Sequence, residues 1–294
     1  MKKDKFYLQG KNMEKEMFHI ENRVRFEWNM LYSCNYRCPY CFFEGKWEEY
    51  GKRTVFLSVE QWMGHWKRIY ERYGSCALVI TGGEPFVYPD FIQLIKEISA
   101  IHYPINISSN ASGDLSKFVS VINPERVSVT LSFHPEYNTI EEIIKKKRFL
   151  ELNGFRNEFI NLCVYPPYTI RLKEYIETAH NSNETLKVIP FIGSYNGHQY
   201  PESYSLNEKE LLGLDTTWKK NVERKGTLCA AGQKSALIFP DGKVARCGQI
   251  GERFLLGNIF DESFELLDAP MHCDAEMCPC LETITVEESS KGTV

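Results

Sequence analysis

Three cysteines near the start of the chain are the residues best suited to chemistry. Cys34, Cys38 and Cys41 lie within eight residues and directly follow a segment in which apolar and polar side chains alternate. Three thiolates in one loop can wrap a [4Fe–4S] cluster and leave one iron without a protein ligand. Tetrahedral zinc is the alternative, but it needs a fourth ligand close by, and residues 29–50 contain no histidine or further cysteine. The spacing therefore predicts a cluster with one open iron.

A second group of five cysteines lies in the C-terminal part of the chain. The first two flank an Asp-Gly turn signal at Asp241-Gly242, and the other three lie within eight residues of one another. These five thiolates are one more than the four that a further [4Fe–4S] cluster requires. A structural zinc site would use the same ligands. We expect the first two cysteines and two of the last three to be the ligands. The five are Cys229, Cys247, Cys273, Cys278 and Cys280.

The composition favours a globular protein and argues against nucleic acid and membranes as partners. Hydrophobic residues make up 43% of the 294 residues, and the net charge of −4 provides no attraction to phosphate backbones. The basic run 145–148 lies inside an amphipathic helical pattern, as solvated helix faces do. No apolar run approaches the roughly 20 residues that span a bilayer, and the N-terminus lacks the apolar stretch of a signal peptide. We therefore expect a cytoplasmic protein, in which clustered cysteines indicate metal binding rather than disulfides.

Short apolar strands alternate with helices through residues 24–191. Ser58 and Gln61 form a capping box before one helix, whose aromatic residues recur at helical spacing until Gly74. This alternation predicts six parallel βα units, in which functional residues lie on loops after the carboxyl ends of the strands. The expected strands are 24–30, 77–81, 104–108, 126–132, 158–164 and 186–191, and the expected helices are 58–73, 90–101, 114–122, 139–153 and 169–181.

The cysteine loop resembles the signature of the radical SAM enzymes, a Cx3CxΦC run with an aromatic residue before its last cysteine. Tyr40 is that aromatic residue here. The resemblance implies an α/β fold, a partial (β/α)6 TIM-type barrel, in which S-adenosylmethionine chelates the open iron through its amino and carboxylate groups. An electron from a donor such as flavodoxin or ferredoxin would then cleave S-adenosylmethionine to methionine and a 5′-deoxyadenosyl radical, which abstracts a substrate hydrogen.

Further residues at the ends of the expected strands match positions where this family binds the cofactor. In the TGGEP motif after the second strand, paired glycines permit close backbone approach, and the resemblance assigns Glu84 to the methionyl ammonium. After the fourth strand the family commonly has an acidic residue, whereas this chain has His134. That histidine could orient the cofactor, act as an acid or base, or be an ordinary histidine at a strand end. The residues that the resemblance assigns to S-adenosylmethionine are Tyr40, Gly82, Gly83, Glu84, Pro85, Ser108, Asn110, Ser132, Val164 and Tyr165.

The C-terminal cysteine group resembles the Twitch domain, the shortened form of the SPASM extension. The resemblance implies one auxiliary [4Fe–4S] cluster in a small cysteine-rich appendage. The expected domains are an N-terminal extension over 1–23, the radical SAM partial barrel over 24–225, the Twitch-like appendage over 226–282 and a flexible tail over 283–294.

These features predict a radical SAM oxidoreductase or a related radical-based modifying enzyme. A small molecule of the sugar or amino-sugar type is favoured over a peptide as substrate, because about 24 residues before the first strand are too few for a peptide-recognition domain. A maturase of a ribosomally made peptide is the alternative. A non-catalytic iron–sulfur sensor is the alternative from another class of protein.

Overall fold

A computed structural model describes residues 23–43, 45–214, 223–261 and 263–275, together with Cys278. Cys280, the N-terminal extension up to residue 22 and the tail over 283–294 lie outside the described residues. No helix in the described part of the chain is long and apolar enough to cross a membrane.

The first part of the chain alternates strands and helices as the sequence predicts, and every expected boundary agrees within two residues. A short helix, α1, and a hairpin of two short strands, β7 and β8, were not expected. The elements are β1 (Arg25–Leu31), α1 (Trp47–Gly51), α2 (Val59–Tyr73), β2 (Ala77–Gly82), α3 (Phe91–Ile101), β3 (Ile105–Ser109), α4 (Leu115–Val121), β4 (Val127–Ser132), α5 (Ile140–Leu152), β5 (Ile160–Val164), α6 (Thr169–Asn181), β6 (Leu186–Pro190), β7 (Gly193–Tyr195), β8 (His198–Tyr200) and α7 (Leu206–Leu211).

The C-terminal part contributes five further short strands. Three of them continue the main sheet, and the other two pair with each other in a separate antiparallel ladder. They are β9 (Leu228–Cys229), β10 (Ser235–Ile238), β11 (Lys243–Ala245), β12 (Leu255–Asn258) and β13 (Met271–His272).

The main sheet has nine strands in the order β12-β11-β10-β1-β2-β3-β4-β5-β6. All pairs from β10 to β6 are parallel, and β11 and β12 are added in antiparallel orientation. Within the described residues β12 and β6 each pair with a single neighbour, so the sheet is open, as a partial barrel requires. Because β10 pairs with β1, the C-terminal hairpin extends the barrel sheet instead of forming a sheet of its own.

One face of the sheet is apolar and packs against the helices. In β1 the side chains of Phe26, Trp28 and Met30 are fully buried, and the Trp28 ring packs edge-on against Trp62 and Trp66 of α2 at 4.8 and 5.0 Å. The capping box at Ser58 forms as the sequence predicts, which sets the start of α2. The polar residues that alternate with them along the strands lie on the opposite face of the sheet, which is the face of the candidate site.

Two groups of charged residues have structural contacts. Lys147 of the basic run 145–148 is buried, and its Nζ lies 2.7 Å from Glu184 Oε2, so this run is only partly the solvated face that the sequence predicts. Arg53 Nη2 lies 2.9 Å from Asp241 and 2.7 Å from Glu252, which ties the segment after the cysteine loop to the C-terminal hairpin.

Candidate functional site

A cavity of about 180 Å³ opens at the carboxyl ends of β1 to β4. The three cysteines of the loop after β1 and the polar residues at the ends of β2, β3 and β4 meet there. Its lining consists of Cys34, Tyr36, Cys38, Tyr40, Cys41, Trp47, Thr81, Gly82, Gly83, Glu84, Ser108, Ser109, Asn110, Ser132 and His134.

The cysteine loop folds as a tight turn whose three cysteines line the cavity. The Cys41 N–H donates to the Cys38 carbonyl at 3.1 Å, and the Tyr36 N–H donates to Cys34 Sγ at 3.3 Å. Burial raises the pKa of Cys34 and raises that of Cys38 to about 12. Deprotonated thiolates at these positions therefore need a compensating cation, which fits the iron–sulfur cluster expected from the sequence.

The two glycines of the TGGEP motif allow the end of β2 to touch the backbone of the cysteine loop. A Cβ on Gly82 would lie 2.2 Å from the Leu31 carbonyl oxygen, and one on Gly83 would lie 1.9 Å from that of Ser33. Gly82 also has a φ of +125°, which side chains other than glycine rarely adopt. The group that approaches these glycines most closely is thus the chain itself.

Glu84 joins the ends of β2 and β3. Its Oε1 accepts from Ser109 Oγ at 2.8 Å and from the Phe86 N–H at 3.1 Å, and its Oε2 accepts from the Asn110 N–H at 2.7 Å. Burial raises the pKa of this carboxyl, and the same three hydrogen bonds lower it. The geometry assigns Glu84 a positioning role in addition to the contact with the methionyl ammonium that the resemblance implies.

Asn110 extends this network to the cysteine loop. Its Nδ2 donates to Asn35 Oδ1 at 3.0 Å, and Asn35 Nδ2 in turn donates to Ser112 Oγ at 2.9 Å. Asn35 is a residue that the sequence reasoning missed, although its place between Cys34 and Cys38 was a signal for a side chain that fixes the loop.

His134 lies against the cysteine loop. Its Nδ1 is 2.7 Å from the Tyr40 hydroxyl and 3.4 Å from Cys38 Sγ, and its ring packs edge-on against Tyr36 at 5.6 Å. Burial lowers the pKa of His134 to about 4, so the imidazole is neutral at physiological pH. The structure thus places His134 in contact with the loop that would hold the cofactor.

Val164 lies in the core, whereas Tyr165 lies at the rim of the cavity. Val164 is fully buried, and its side chain does not line the cavity. Tyr165 lies among aromatic residues at the rim, with its ring 5.6 Å from Tyr40 and 5.1 Å from Tyr195. Pro85 is also buried outside the lining and begins a short 3-10 turn. None of these three residues lines the cavity, and Tyr165 adjoins it through the lining residue Tyr40.

Cys163 is close to the cysteine loop although it lies more than 100 residues away in the sequence. Burial, together with the nearby Cys38 and Cys41, raises the pKa of Cys163 to about 12. The alternation along β5 was the available signal, since Cys163 shares a sheet face with Asn161, which pairs with Ser132.

The C-terminal cysteines also converge. Cys229, Cys247, Cys273 and Cys278, which we call the second cysteine set, lie in one largely buried cluster with small and apolar side chains. Within the described residues no three potential ligands are placed to bind a single metal ion. The sequence predicts Cys229, Cys247 and two of the last three cysteines as cluster ligands, and the positions of the four described cysteines are compatible with that prediction.

The part of the chain that forms the cavity matches a known family. Residues 28–151, which include the cysteine loop and the strands around the cavity, match the family model of the Radical SAM superfamily. Residues 28–151 of this chain are thus a radical SAM domain. A domain of this family implies a [4Fe–4S] cluster and S-adenosylmethionine as cofactors.

Several radical SAM relatives align with this chain. It is 30% identical over 87 residues to the GTP 3′,8-cyclase of Rippkaea orientalis, an alignment that covers 30% of this chain and only 26% of that protein. The GTP 3′,8-cyclase of Microcystis aeruginosa is 21% identical over 86% of this chain and 79% of its own length. The mycofactocin maturase MftC of Mycobacterium tuberculosis is 23% identical over 80% of this chain and 67% of its own length.

A solved structure has the same fold. The structure of anSMEcpe with bound AdoMet aligns with a TM-score of 0.60 over 82% of this chain and 76% of its own, at 15% sequence identity. The open parallel sheet with flanking helices is therefore a radical SAM fold.

Proposed function

We propose that this radical SAM enzyme binds its [4Fe–4S] cluster through Cys34, Cys38 and Cys41 and binds S-adenosylmethionine in the adjoining cavity. The observation that carries the proposal is the convergence of the three thiols with the ends of β2, β3 and β4 on that cavity. When bound, the two cofactors supply the 5′-deoxyadenosyl radical, which removes a hydrogen atom from the substrate.

The chain's own residues would fix the geometry of that site. Glu84 and Asn110 hold the loops after β2 and β3 against the cysteine loop. Tyr40 and His134 contact each other on another side of the loop, and the Tyr40 ring adjoins Tyr165 at the rim. An aromatic rim is suited to pack the adenine ring, while Ser108 and Ser132 offer hydroxyl groups on the polar side of the cavity.

The test is reductive cleavage of S-adenosylmethionine. Protein loaded anaerobically with iron and sulfide should release 5′-deoxyadenosine on reduction, and Cys38→Ala should release none. Cys76→Ala is the matched control, because Cys76 is a buried thiol that does not line the cavity. Absence of 5′-deoxyadenosine from the loaded wild type would contradict the proposal and favour a non-catalytic iron–sulfur sensor.

We further propose that the second cysteine set binds an auxiliary [4Fe–4S] cluster in a Twitch-like domain over 226–282, next to the barrel over 24–225. The burial of Cys229, Cys273 and Cys278 in one cluster, with the partly buried Cys247 packed against it, supports this proposal. Iron and sulfide quantitation tests it: about eight irons per chain are expected for two clusters, whereas about four would contradict it. Zinc in place of the second cluster would identify a structural site instead.

For the substrate we propose a peptide, and this reverses the preference for a small molecule drawn from the sequence. The support is the alignment with the maturase MftC over 80% of this chain, and the fold shared with Streptococcus suis SuiB bound to the precursor peptide SuiA, which aligns over 86% of this chain with a TM-score of 0.58. A small molecule is the second candidate, because a protein named for GTP as its substrate aligns over 86% of the chain. With an auxiliary cluster that accepts the second electron, the reaction would be a two-electron oxidation of the substrate.

Transfer of deuterium distinguishes the two substrate classes. Loaded enzyme would be incubated with a deuterated cell extract separated by size into peptide and metabolite fractions, and deuterium in 5′-deoxyadenosine would be measured. We expect transfer from the peptide fraction and its loss after protease treatment. Transfer from the metabolite fraction alone, unaffected by protease, would overturn the peptide assignment and support the small molecule.

A further inference from the structure

Arg246 is a buried arginine whose guanidinium carbon lies 5.9 Å from the centre of the Phe254 ring. The residue is 1% exposed and lies directly before Cys247. None of the carboxylates in the described ranges forms an ion pair or a hydrogen bond with it. Burying a cation costs several kcal/mol unless a nearby negative charge offsets it.

The hydrogen bonds of Arg246 all go to backbone carbonyl oxygens. Its Nε donates to Ala231 at 2.9 Å, its Nη1 to His272 at 2.9 Å and its Nη2 to Met271 at 2.8 Å. Carbonyl oxygens satisfy the donors, but they carry no net charge to neutralise the guanidinium.

These three carbonyls belong to the segments that carry the second cysteine set. Ala231 follows Cys229 by two residues, and Met271 and His272 directly precede Cys273. The two segments also pair with each other as β9 and β13. Arg246 adds its own segment, with Cys247, so one planar guanidinium joins three chain segments that bear cysteines.

Gly232 lets the loop after β9 close over this arginine. A Cβ at Gly232 would lie 2.9 Å from the Arg246 Cγ, and the φ of +92° at this glycine is one that other residues rarely adopt. The close approach excludes water from the stem of Arg246 and keeps the cation in a medium where charges interact strongly.

We propose that Arg246 is a positioning residue for an auxiliary [4Fe–4S] cluster: it holds the three segments of the second cysteine set, and its charge stabilises the reduced cluster. A cluster with four thiolate ligands is anionic and gains a further negative charge on reduction, so a buried cation beside it favours the reduced form. The inference rests on the auxiliary cluster proposed above.

The test isolates the second site in the full-length chain. In a background of Cys34→Ala, Cys38→Ala and Cys41→Ala, only the second cysteine set can assemble a cluster, so its iron content and reduction potential can be measured without the first. Three variants are compared in that background: Arg246→Met, Arg246→Lys and Arg253→Met. Arg253 is the matched control, because it lies in the same hairpin and also donates to backbone carbonyls but is exposed.

We expect Arg246→Met to favour the oxidised cluster by roughly tenfold, a fall in potential of about 59 mV for a one-electron couple. Arg246→Lys keeps the charge and loses the three-way contact, so its potential should stay near that of the parent while a chelator removes its iron faster. Arg253→Met should change neither property.

The outcomes separate the two proposals. A cluster in Arg246→Met with the potential and chelator resistance of the parent would overturn the role of Arg246 and leave the auxiliary cluster intact. Arg246→Met could fail to assemble a cluster, and Arg246→Lys then decides. If the reduction potential of Arg246→Lys falls by the roughly 59 mV expected for Arg246→Met, the role of the charge is overturned. A parent background that binds no iron, or zinc alone, would overturn both the auxiliary cluster and the inference drawn from it.

Discussion

At the scale of single residues, Glu27 in β1 and Glu84 after β2 show two different environments of a partly desolvated carboxylate. Glu84 is buried and accepts hydrogen bonds on both oxygens, so the cost of its charge is offset locally. Glu27 lies on the same sheet face as Thr81, where solvent reaches it. The surrounding protein raises the pKa of Glu27 more than the nearby Arg25 lowers it. The first carboxylate shapes the site, whereas the second is a cost to stability.

Glu84→Gln should weaken the site and the fold together. The NH2 group of the new amide would point at the N–H of either Asn110 or Phe86, so two donors would face each other. Losing a hydrogen bond to a buried charged acceptor costs about 1.5–3 kcal/mol. Urea unfolding and equilibrium binding of S-adenosylmethionine would measure the two effects, with the exposed Glu71→Gln as control. Weaker binding with an unchanged free energy of unfolding would instead indicate direct contact with the methionyl ammonium.

Glu27→Gln should stabilise the protein at neutral pH. The pKa of Glu27 is raised in the folded state, so the ionised carboxylate destabilises the folded protein. The wild type therefore becomes more stable as the pH falls through the raised pKa and the carboxylate is protonated. The gain for the variant should be below about 1 kcal/mol, because solvent still screens the group. Thermal unfolding over a pH series would check this. The difference should vanish below the ordinary glutamate pKa, and a gain that grows with acidity would contradict the sign.

At the scale of elements, the strands and helices of the barrel were predictable because each carries its own periodicity and caps. The alternation in β1 and the capping box at Ser58 are local signals, and the structure agrees with both. The contacts between loops were not predictable in the same way. Nothing in the sequence states that Asn35 meets Asn110, because that contact depends on how β1 and β3 lie in the sheet.

Gly83→Ala tests the contact between the β2 turn and the cysteine loop. The added Cβ would lie 1.9 Å from the Ser33 carbonyl oxygen and 2.5 Å from its carbon, so backbone must move, at a cost of about 1–3 kcal/mol. We expect a lower free energy of unfolding and reduced iron loading of the cysteine loop. Gly64→Ala in α2 is the control, because a Cβ there meets nothing within 4 Å and should add about 1 kcal/mol through helix propensity. Equal effects of the two substitutions would refute the close contact.

At the scale of the whole molecule, the cysteine loop and Cys247 of the second set each follow a strand of one continuous sheet. The sequence placed the second group in an appendage, since β10 to β12 are short and follow the βα repeats. In the structure β10 pairs in parallel with β1, the strand that leads into the cysteine loop. Such a pairing joins residues about 210 positions apart, as Arg25 with Ser235 shows, and local periodicity carries no information about it.

Arg53 strengthens this connection from the other side of the loop. Its guanidinium contacts Asp241 and Glu252 of the hairpin region and lies over the rings of Tyr32 and Phe239, both at 5.6 Å. The cysteine loop and the hairpin that precedes Cys247 are thus connected by a shared sheet and by the two ion pairs of Arg53.

This arrangement predicts a division of labour that two cysteine substitutions can reveal. Cys38→Ala removes a ligand beside the cavity and should abolish cleavage of S-adenosylmethionine. Cys247→Ala disrupts only the second set and should leave part of that cleavage, now uncoupled from substrate modification, because β10 keeps its pairing with β1. The ratio of 5′-deoxyadenosine to modified substrate would be measured for both variants. Equal loss of cleavage in both would mean that the second set supports the first cofactor site instead of acting on the substrate.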